Sequence, residues 1–343
     1  MRSSTTAKTS LRVNYFQRRP RKGFNFSLEF IYDDLRRRLQ KSIEPTVFIS
    51  SCYNNGYLSK IFNILEAGLK QGNDINHITG ELHFLNILMN RKKVVLTILD
   101  CGMIKRKKGL EKIIVNWFYL SLPISRARII TAISEETKKE ILHYSKCDSD
   151  KIKVIPVPVS SIFQPFAKDF NQIKPVILQV GTTPNKNLLR LIQALEGLEC
   201  HLSIVGKLSV EQLEALDTYK IEFSNEFNIT DERLLEKYQE CDLLSFISTF
   251  EGFGMPIVEA QMVERPVITA NTSSMPEVAG RGAYLVDPFN VMEIRSGIRE
   301  IIQNKELRSD LIELGKVNRK RFDGDLIAKM YLEVYKECMG KNL

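Results

Sequence analysis

Two carboxylates and one ammonium carry most of the chemistry offered by this chain of 343 residues. Glu251 and Glu259 flank the run Gly252-Phe253-Gly254-Met255-Pro256, which follows an apolar stretch at 243–247. The glycines permit a tight turn with exposed backbone, and Pro256 fits the first turn of a helix, where a missing N–H costs little. Free N–H groups at that helix start favour a phosphate. The two carboxylates would repel one, so they serve better as acceptors for sugar hydroxyls. A second loop at a strand end, Gly181-Thr182-Thr183-Pro184-Asn185-Lys186-Asn187, delivers Lys186, whose charge would neutralise a leaving diphosphate. Read singly, these residues are a turn and a solvated charge. Read in order within one domain, they outline a sugar-nucleotide pocket.

The elements that must position them follow a strand–helix rhythm. Short apolar runs at 176–180, 202–205, 243–247, 267–269 and 284–286 read as strands buried on both faces of a parallel sheet. Helical periodicity lies between them, at Leu188, Leu191, Ile192 and Leu195, for example. The first half has the same grammar, with strands expected at 13–16, 47–50, 94–99, 129–133 and 153–157 and helices at 27–40, 57–69, 111–120 and 135–144. The fold class is therefore α/β, with two doubly wound Rossmann-like domains facing a cleft. Residues 1–165 form an N-terminal acceptor-side domain, 166–325 a C-terminal nucleotide-sugar domain, and 326–343 a last helix that packs back across the junction.

Charge divides the chain in the same place. Residues 1–165 hold 28 Lys+Arg against 14 Asp+Glu, a net of +14, and the remainder nets −6. Basic runs at Arg18-Arg19-Pro20-Arg21-Lys22, Arg36-Arg37-Arg38, Arg91-Lys92-Lys93 and Lys105-Arg106-Lys107-Lys108 suit nucleic acid or an anionic membrane surface. With no helix-turn-helix, zinc or RNP signature, nucleic acid is set aside as a partner. The group Trp117, Phe118, Tyr119, Leu120 and Leu122 reads either as core packing or as an interfacial apolar patch. The six cysteines are scattered and expected to be reduced, and no apolar run reaches the roughly 18–20 residues of a spanning helix. The polar N-terminus is not a secretory signal and reads as a loose tail. The expected location is cytoplasmic, peripheral on the inner face of the cytoplasmic membrane.

The motifs together resemble those of retaining family 4 glycosyltransferases of the GT-B fold, of the bacterial cell-surface polysaccharide type. The likeness is strongest from Val180 to Pro288 and includes Gly206, the E-x7-E pattern from Glu251 to Glu259, and Ser274-Met275-Pro276-Glu277. In the first half it includes Thr79-Gly80-Glu81-Leu82-His83 and Ser134-Glu135-Glu136-Thr137-Lys138. The resemblance implies that Glu251 binds hydroxyls of the donor sugar and Glu259 the nucleotide ribose. It further implies that the backbone of Gly252, Phe253, Gly254 and Met255 meets the sugar and its phosphates, and that Lys186, with Gly181 and Thr182, holds the diphosphate. The donor is a nucleoside diphosphate sugar, the acceptor a saccharide or polyprenyl-linked saccharide, and no cofactor is required. Retention would proceed on one face of the sugar, with the leaving phosphate helping to deprotonate the acceptor and no protein nucleophile.

His83 follows Thr79-Gly80 in a loop that the resemblance brings near the cleft, and is the candidate catalytic imidazole; a helix-start histidine bonded to backbone is the alternative. His77 has a similar claim, whereas His143 and His201 read as structural. Asp148-Ser149-Asp150 and Asp323-Gly324-Asp325 spell D-x-D, but each precedes a strand or a helix as a cap would, so no metal site is expected. Four positions depart from the family pattern: Leu99 stands where many relatives carry histidine, Thr182 and Asn185 replace arginine, and Glu264 occupies a turn where glycine is usual. The first three support an alternative, a catalytically weak or inactive sugar-nucleotide-binding relative acting as a scaffold in a polysaccharide assembly complex.

Overall fold

The computed structural model describes residues 10–20 and 27–340. The expected loose tail and the pair Arg21-Lys22 lie outside the described residues, Ser10 excepted. Two compact units divide the chain: Met1–Pro156 with Gly324–Leu343, and Val157–Asp323. Where sequence punctuation draws the boundary at 165/166, the structure draws it at Pro156/Val157 and returns the last helix to the first unit.

The first unit contains β1 (Leu11–Gln17), α1 (Ser27–Leu39), β2 (Ile43–Ile49), α2 (Tyr57–Leu69), β3 (Ile75–Ile78), β4 (Val94–Ile98), α3 (Gly102–Lys105), α4 (Gly109–Asn116), α5 (Leu122–Ser125), β5 (Ile129–Ala132), α6 (Glu135–Tyr144) and β6 (Ile152–Val154). Among the described residues these strands make one parallel sheet in the order β2-β1-β3-β4-β5-β6. Alternation along the strands feeds two cores. Phe16, Ile78, Leu96 and Ile130 pack with Ile64, Phe84, Leu120 and Ile141 on one face, while Val13, Tyr15, Ile75 and Val95 pack with Tyr32 and Leu35 on the other. β3 was not among the expected strands, because its buried run Ile75-Asn76-His77-Ile78 carries two polar residues. The helix expected at 111–120 is α4 continued by a π-helical turn, Trp117–Ser121.

The second unit contains β7 (Val176–Val180), α7 (Leu188–Leu195), β8 (His201–Val205), α8 (Val210–Thr218), β9 (Phe223–Glu226), α9 (Asp231–Glu240), β10 (Leu243–Phe246), α10 (Met255–Met262), β11 (Val267–Ala270), α11 (Met275–Ala279), β12 (Tyr284–Val286), α12 (Val291–Gln303) and α13 (Lys305–Asn318). Its parallel sheet runs β12-β11-β10-β7-β8-β9. The chain moves outward from β7 to β9 and then returns to the other side of β7, so the loops leaving β7 and β10 diverge at the topological switch point. Ile177, Leu202, Leu243 and Ile268 pack beneath α7 and α12, with Leu188, Leu191, Ile294 and Ile298 fully buried.

The chain then re-enters the first unit as α14 (Gly324–Cys338). Ile327, Tyr331, Val334 and Tyr335 of this helix complete the core over β1 and α1. The Tyr335 hydroxyl is anchored in a buried polar chain. Tyr335 Oη donates to Tyr15 Oη at 3.0 Å, so it accepts from Nδ1 of His77 at 2.8 Å, whose Nε2 accepts from Thr97 Oγ1 at 2.8 Å. Burial, with Arg36 nearby, pushes the His77 imidazole down to about 3 and keeps it neutral.

Candidate active site

The loop after β7 is shaped to hold Lys186 close to its own backbone. Gly181 sits at φ +91°, and a Cβ there would come within 3.0 Å of the Lys186 Cγ and Cε atoms. Buried Gln179 braces the loop from below, its amide donating to the carbonyls of Gly181 and Lys186 at 3.1 Å each. Asn187, left-handed at φ +62°, opens α7 and donates to the carbonyls of Ile247 at 3.1 Å and Pro288 at 2.6 Å. Those bonds tie the loop to the end of β10.

The loop after β10 meets it there. Thr249 N–H donates to the Asn185 carbonyl at 2.8 Å, and the Asn185 amide donates to Phe250 O at 3.1 Å. The Lys186 ammonium lies 2.7 Å from Glu251 Oε1 and 4.5 Å above the Phe246 ring. The Asn185 amide donates to the same carboxylate oxygen at 3.2 Å. A pair this sheltered keeps more of its Coulomb energy than a surface pair. Ser273 and Ser274 then pin the turn: both hydroxyls donate to Glu251 O, at 2.6 and 3.0 Å, and Ser274 also donates to Phe253 O at 2.7 Å.

Gly254, at φ +113°, caps α10, with Pro256 in its first turn. Phe253 is buried edge-on against Phe322 at 5.6 Å. About one and a half turns along, Glu259 is 9% exposed and accepts the Tyr238 hydroxyl at 2.6 Å. Desolvation pushes its carboxyl up to about 7, against the opposing pull of the Tyr238 hydrogen bond and the Lys186 charge. Thr182 is turned away from this group; its hydroxyl donates to Lys207 O at 2.7 Å.

Lys186, Glu251, Gly252, Phe253, Gly254, Met255 and Glu259 thus belong to one corner of the second unit. His83 belongs to the first unit, at the start of a 3₁₀ turn (His83–Leu88) beyond β3. Its Nδ1 donates to the Tyr119 carbonyl at 2.8 Å, which leaves Nε2 as an acceptor, and burial lowers its pKa. Leu99 packs toward Gly80, whose added Cβ would sit 2.9 Å from Leu99 Cδ1. Glu264 adopts φ +61°, and its carboxylate is held by Arg319 at 3.2 Å and Lys316 at 3.3 Å. Asp148 caps a short turn by accepting Asp150 N–H at 3.0 Å, and Asp325 pairs with Arg38 at 2.7 Å.

Sequence reading missed three contributors. Asn185 entered only as a lost cation, yet it is a second donor to Glu251. Tyr238 lies on the apolar side of α9 and carries no motif, although a hydroxyl on a fully buried ring requires a partner. Ser274 precedes the Met-Pro start of α11 but does not cap that helix; its hydroxyl bonds Glu251 O and Phe253 O instead.

Comparison with known proteins follows the same division. Residues 161–317 match the family model described as glycosyl transferases group 1. The chain is 27% identical over 220 residues to the serotype-specific mannosyltransferase WbdA of Escherichia coli, covering 57% of this chain and 27% of that protein. It is 26% identical over 236 residues to the O-antigen chain mannosyltransferase B of Escherichia coli, covering 62% and 61%. The matched segments span about a quarter and three fifths of those two relatives. The structure of Anabaena HepE in complex with UDP and glucose superimposes with a TM-score of 0.75 at 15% identity, over 96% of this chain and all of that one. The chain has the GT-B fold, and its second unit is similar to the group 1 glycosyl transferases.

Proposed function

We propose that this protein transfers a sugar from a nucleoside diphosphate sugar to a saccharide or polyprenyl-linked saccharide in cell-surface polysaccharide synthesis, with retention of anomeric configuration. The observation that carries the reading is the contact of Lys186 with Glu251 at the switch point of the second sheet. The two charges neutralise each other, and a sugar diphosphate offers each a better partner. Its phosphates take the ammonium, and its hydroxyls take the carboxylate and the Asn185 amide. Gly254 and the start of α10 present N–H groups to the phosphates, while Glu259 accepts ribose hydroxyls. As the C1–O bond to the diphosphate breaks, Lys186 stabilises the charge on the leaving oxygen. That oxygen, on the face from which it departs, takes the acceptor proton as the acceptor oxygen bonds to C1. The relatives named as mannosyltransferases and the neighbour solved with UDP and glucose support this donor class.

The acceptor falls to the more basic first unit, and His83 Nε2 is its candidate catalytic contact. No helix among the described residues is long and apolar enough to cross a membrane. Lys186→Ala tests the site. It is expected to lower donor turnover about 10²–10³-fold and to cost the fold about 1–2 kcal/mol, because the sheltered Glu251 carboxylate keeps the Asn185 amide as a partner. Turnover within twofold of the parent would overturn the assignment.

A further inference from the structure

The outer surface of the first unit departs from what its inner packing requires. Helix α2 turns Asn63, Ile64 and Ala67 inward, yet Tyr57, Leu58, Ile61, Phe62, Leu65 and Leu69 are each between 51% and 88% exposed. At 100° per residue those six occupy one arc of roughly 140°. Helix α4 repeats the pattern: Leu110, Ile113, Ile114 and Trp117 are each between 56% and 72% exposed, within an arc of roughly 100°. The π turn after α4 makes the contrast sharper, since Leu120 is buried in the core and Trp117 is turned outward. The two helices share a flank, because the Lys60 ammonium of α2 lies 5.4 Å from the Tyr57 ring and 5.6 Å from the Tyr119 ring beyond α4. Soluble helices carry polar residues on such a face, and an apolar patch of this extent marks an interaction surface.

The rim identifies the partner. Lys60 and Lys70 border α2, and Lys105, Arg106, Lys107, Lys108 and Lys112 border α4, against only Glu66 and Glu111 on the same two segments. A second copy of the chain would bring the same excess of positive charge to the contact, whereas anionic headgroups complement it. We propose that α2 and α4 form a single docking face for an anionic lipid bilayer, with their apolar side chains inserted beneath the headgroups and the lysines among them. The inference rests on the reading that the acceptor is lipid-linked, and it adds how the protein is held there. Insertion also separates this mode from purely electrostatic adherence, which salt abolishes.

The chain's single tryptophan, Trp117, lies on this face and reports on it directly. The full-length protein would be mixed with vesicles of phosphatidylglycerol and phosphatidylethanolamine, or of phosphatidylcholine alone, at 0.1 and 1 M NaCl. Sedimentation and Trp117 emission would be measured. Expected are binding to the anionic vesicles with a blue shift of Trp117, at least one third of that binding surviving at 1 M salt, and at least tenfold weaker binding to phosphatidylcholine. Leu58→Glu with Leu65→Glu, or Leu110→Glu with Ile114→Glu, should weaken binding at least tenfold with the far-ultraviolet dichroism unchanged. Lys107→Gln with Lys108→Gln should weaken it a few-fold, and only at low salt. Absence of the blue shift, complete loss at 1 M salt, equal binding to neutral vesicles, or unchanged binding by the Glu variants would each overturn the proposal. So would a parent dimer that the Glu variants convert to monomers without any vesicle binding. Neither donor nor acceptor is present in this assay, so its failure leaves the Lys186 site standing, and loss of that site leaves vesicle binding intact.

Discussion

Glu259 is held in α10 with little solvent access, and its hydrogen-bond partner Tyr238 lowers the cost of the charge without cancelling it. Glu259→Gln keeps the shape and the acceptor oxygen for Tyr238 while removing the charge, so it separates stability from binding. A carboxyl raised from 4.5 to about 7 in the folded state contributes stability that is complete below pH 4.5 and lost as pH rises through 7. At ~1.36 kcal/mol per unit, the full loss is about 3 kcal/mol at pH 8. The glutamine variant never pays it. It should therefore be about 3 kcal/mol more stable than the parent at pH 8 and equal to it at pH 4, with a gain of ~2–4 °C in the second unit's transition per kcal/mol. Scanning calorimetry reads this, and Trp117 fluorescence identifies which transition belongs to the first unit. Replacing a charge-assisted hydrogen bond by a neutral one should weaken nucleoside diphosphate binding about tenfold. A gain independent of pH, or a loss of stability at pH 8, would refute the burial argument.

Gly181→Ala forces a Cβ against the Lys186 side chain at an unfavourable φ; it should cost ~1–2 kcal/mol by denaturant titration and lower donor turnover at least tenfold. Glu264→Ala retains the strained φ and loses the Arg319 and Lys316 contacts, so a loss of ~1 kcal/mol is expected, whereas Glu264→Gly relaxes the backbone and should come within ~0.5 kcal/mol of the parent. His77, lowered to about 3 in the fold, contributes stability that is present above pH 6.5 and lost as pH falls toward 3, up to about 4–5 kcal/mol. The Trp117-reported transition should accordingly fall between pH 6.5 and 4, while Glu259 acts in the opposite sense on the other unit. A flat profile in that interval would contradict the neutral, buried imidazole.

The parts of this protein legible in its sequence are those where local pattern and global position agree. The runs at 176–180 and 284–286 are strands with those bounds, and the loops after β7 and β10 were legible because Gly, Pro and a charge stand at the end of an apolar run. β3 and β9 escaped because two and three of their four residues are polar, with partners distant in sequence, such as Asn225, whose amide donates to Gly206 O at 2.8 Å. The α2 surface escaped for the opposite reason. A helix apolar nearly all round reads as buried, and only the packing reveals that one arc has nothing against it. Trp117 was open to either reading until the π turn assigned Leu120 to the core and Trp117 to the exterior. Glu264 shows a turn whose usual glycine is replaced, with ion pairs on the side chain offsetting the backbone cost.

The return of α14 to the first unit also fixes an order of events during synthesis. Val157–Asp323 leaves the ribosome with all the strands of its sheet in hand. The first unit, although translated earlier, then still lacks Tyr331 and Tyr335, and His77 has no phenol to receive its proton. The half made first is thus the half finished last. Until α14 emerges, it waits with one face of its sheet covered by α1 alone and the apolar arc of α2 already exposed on the other.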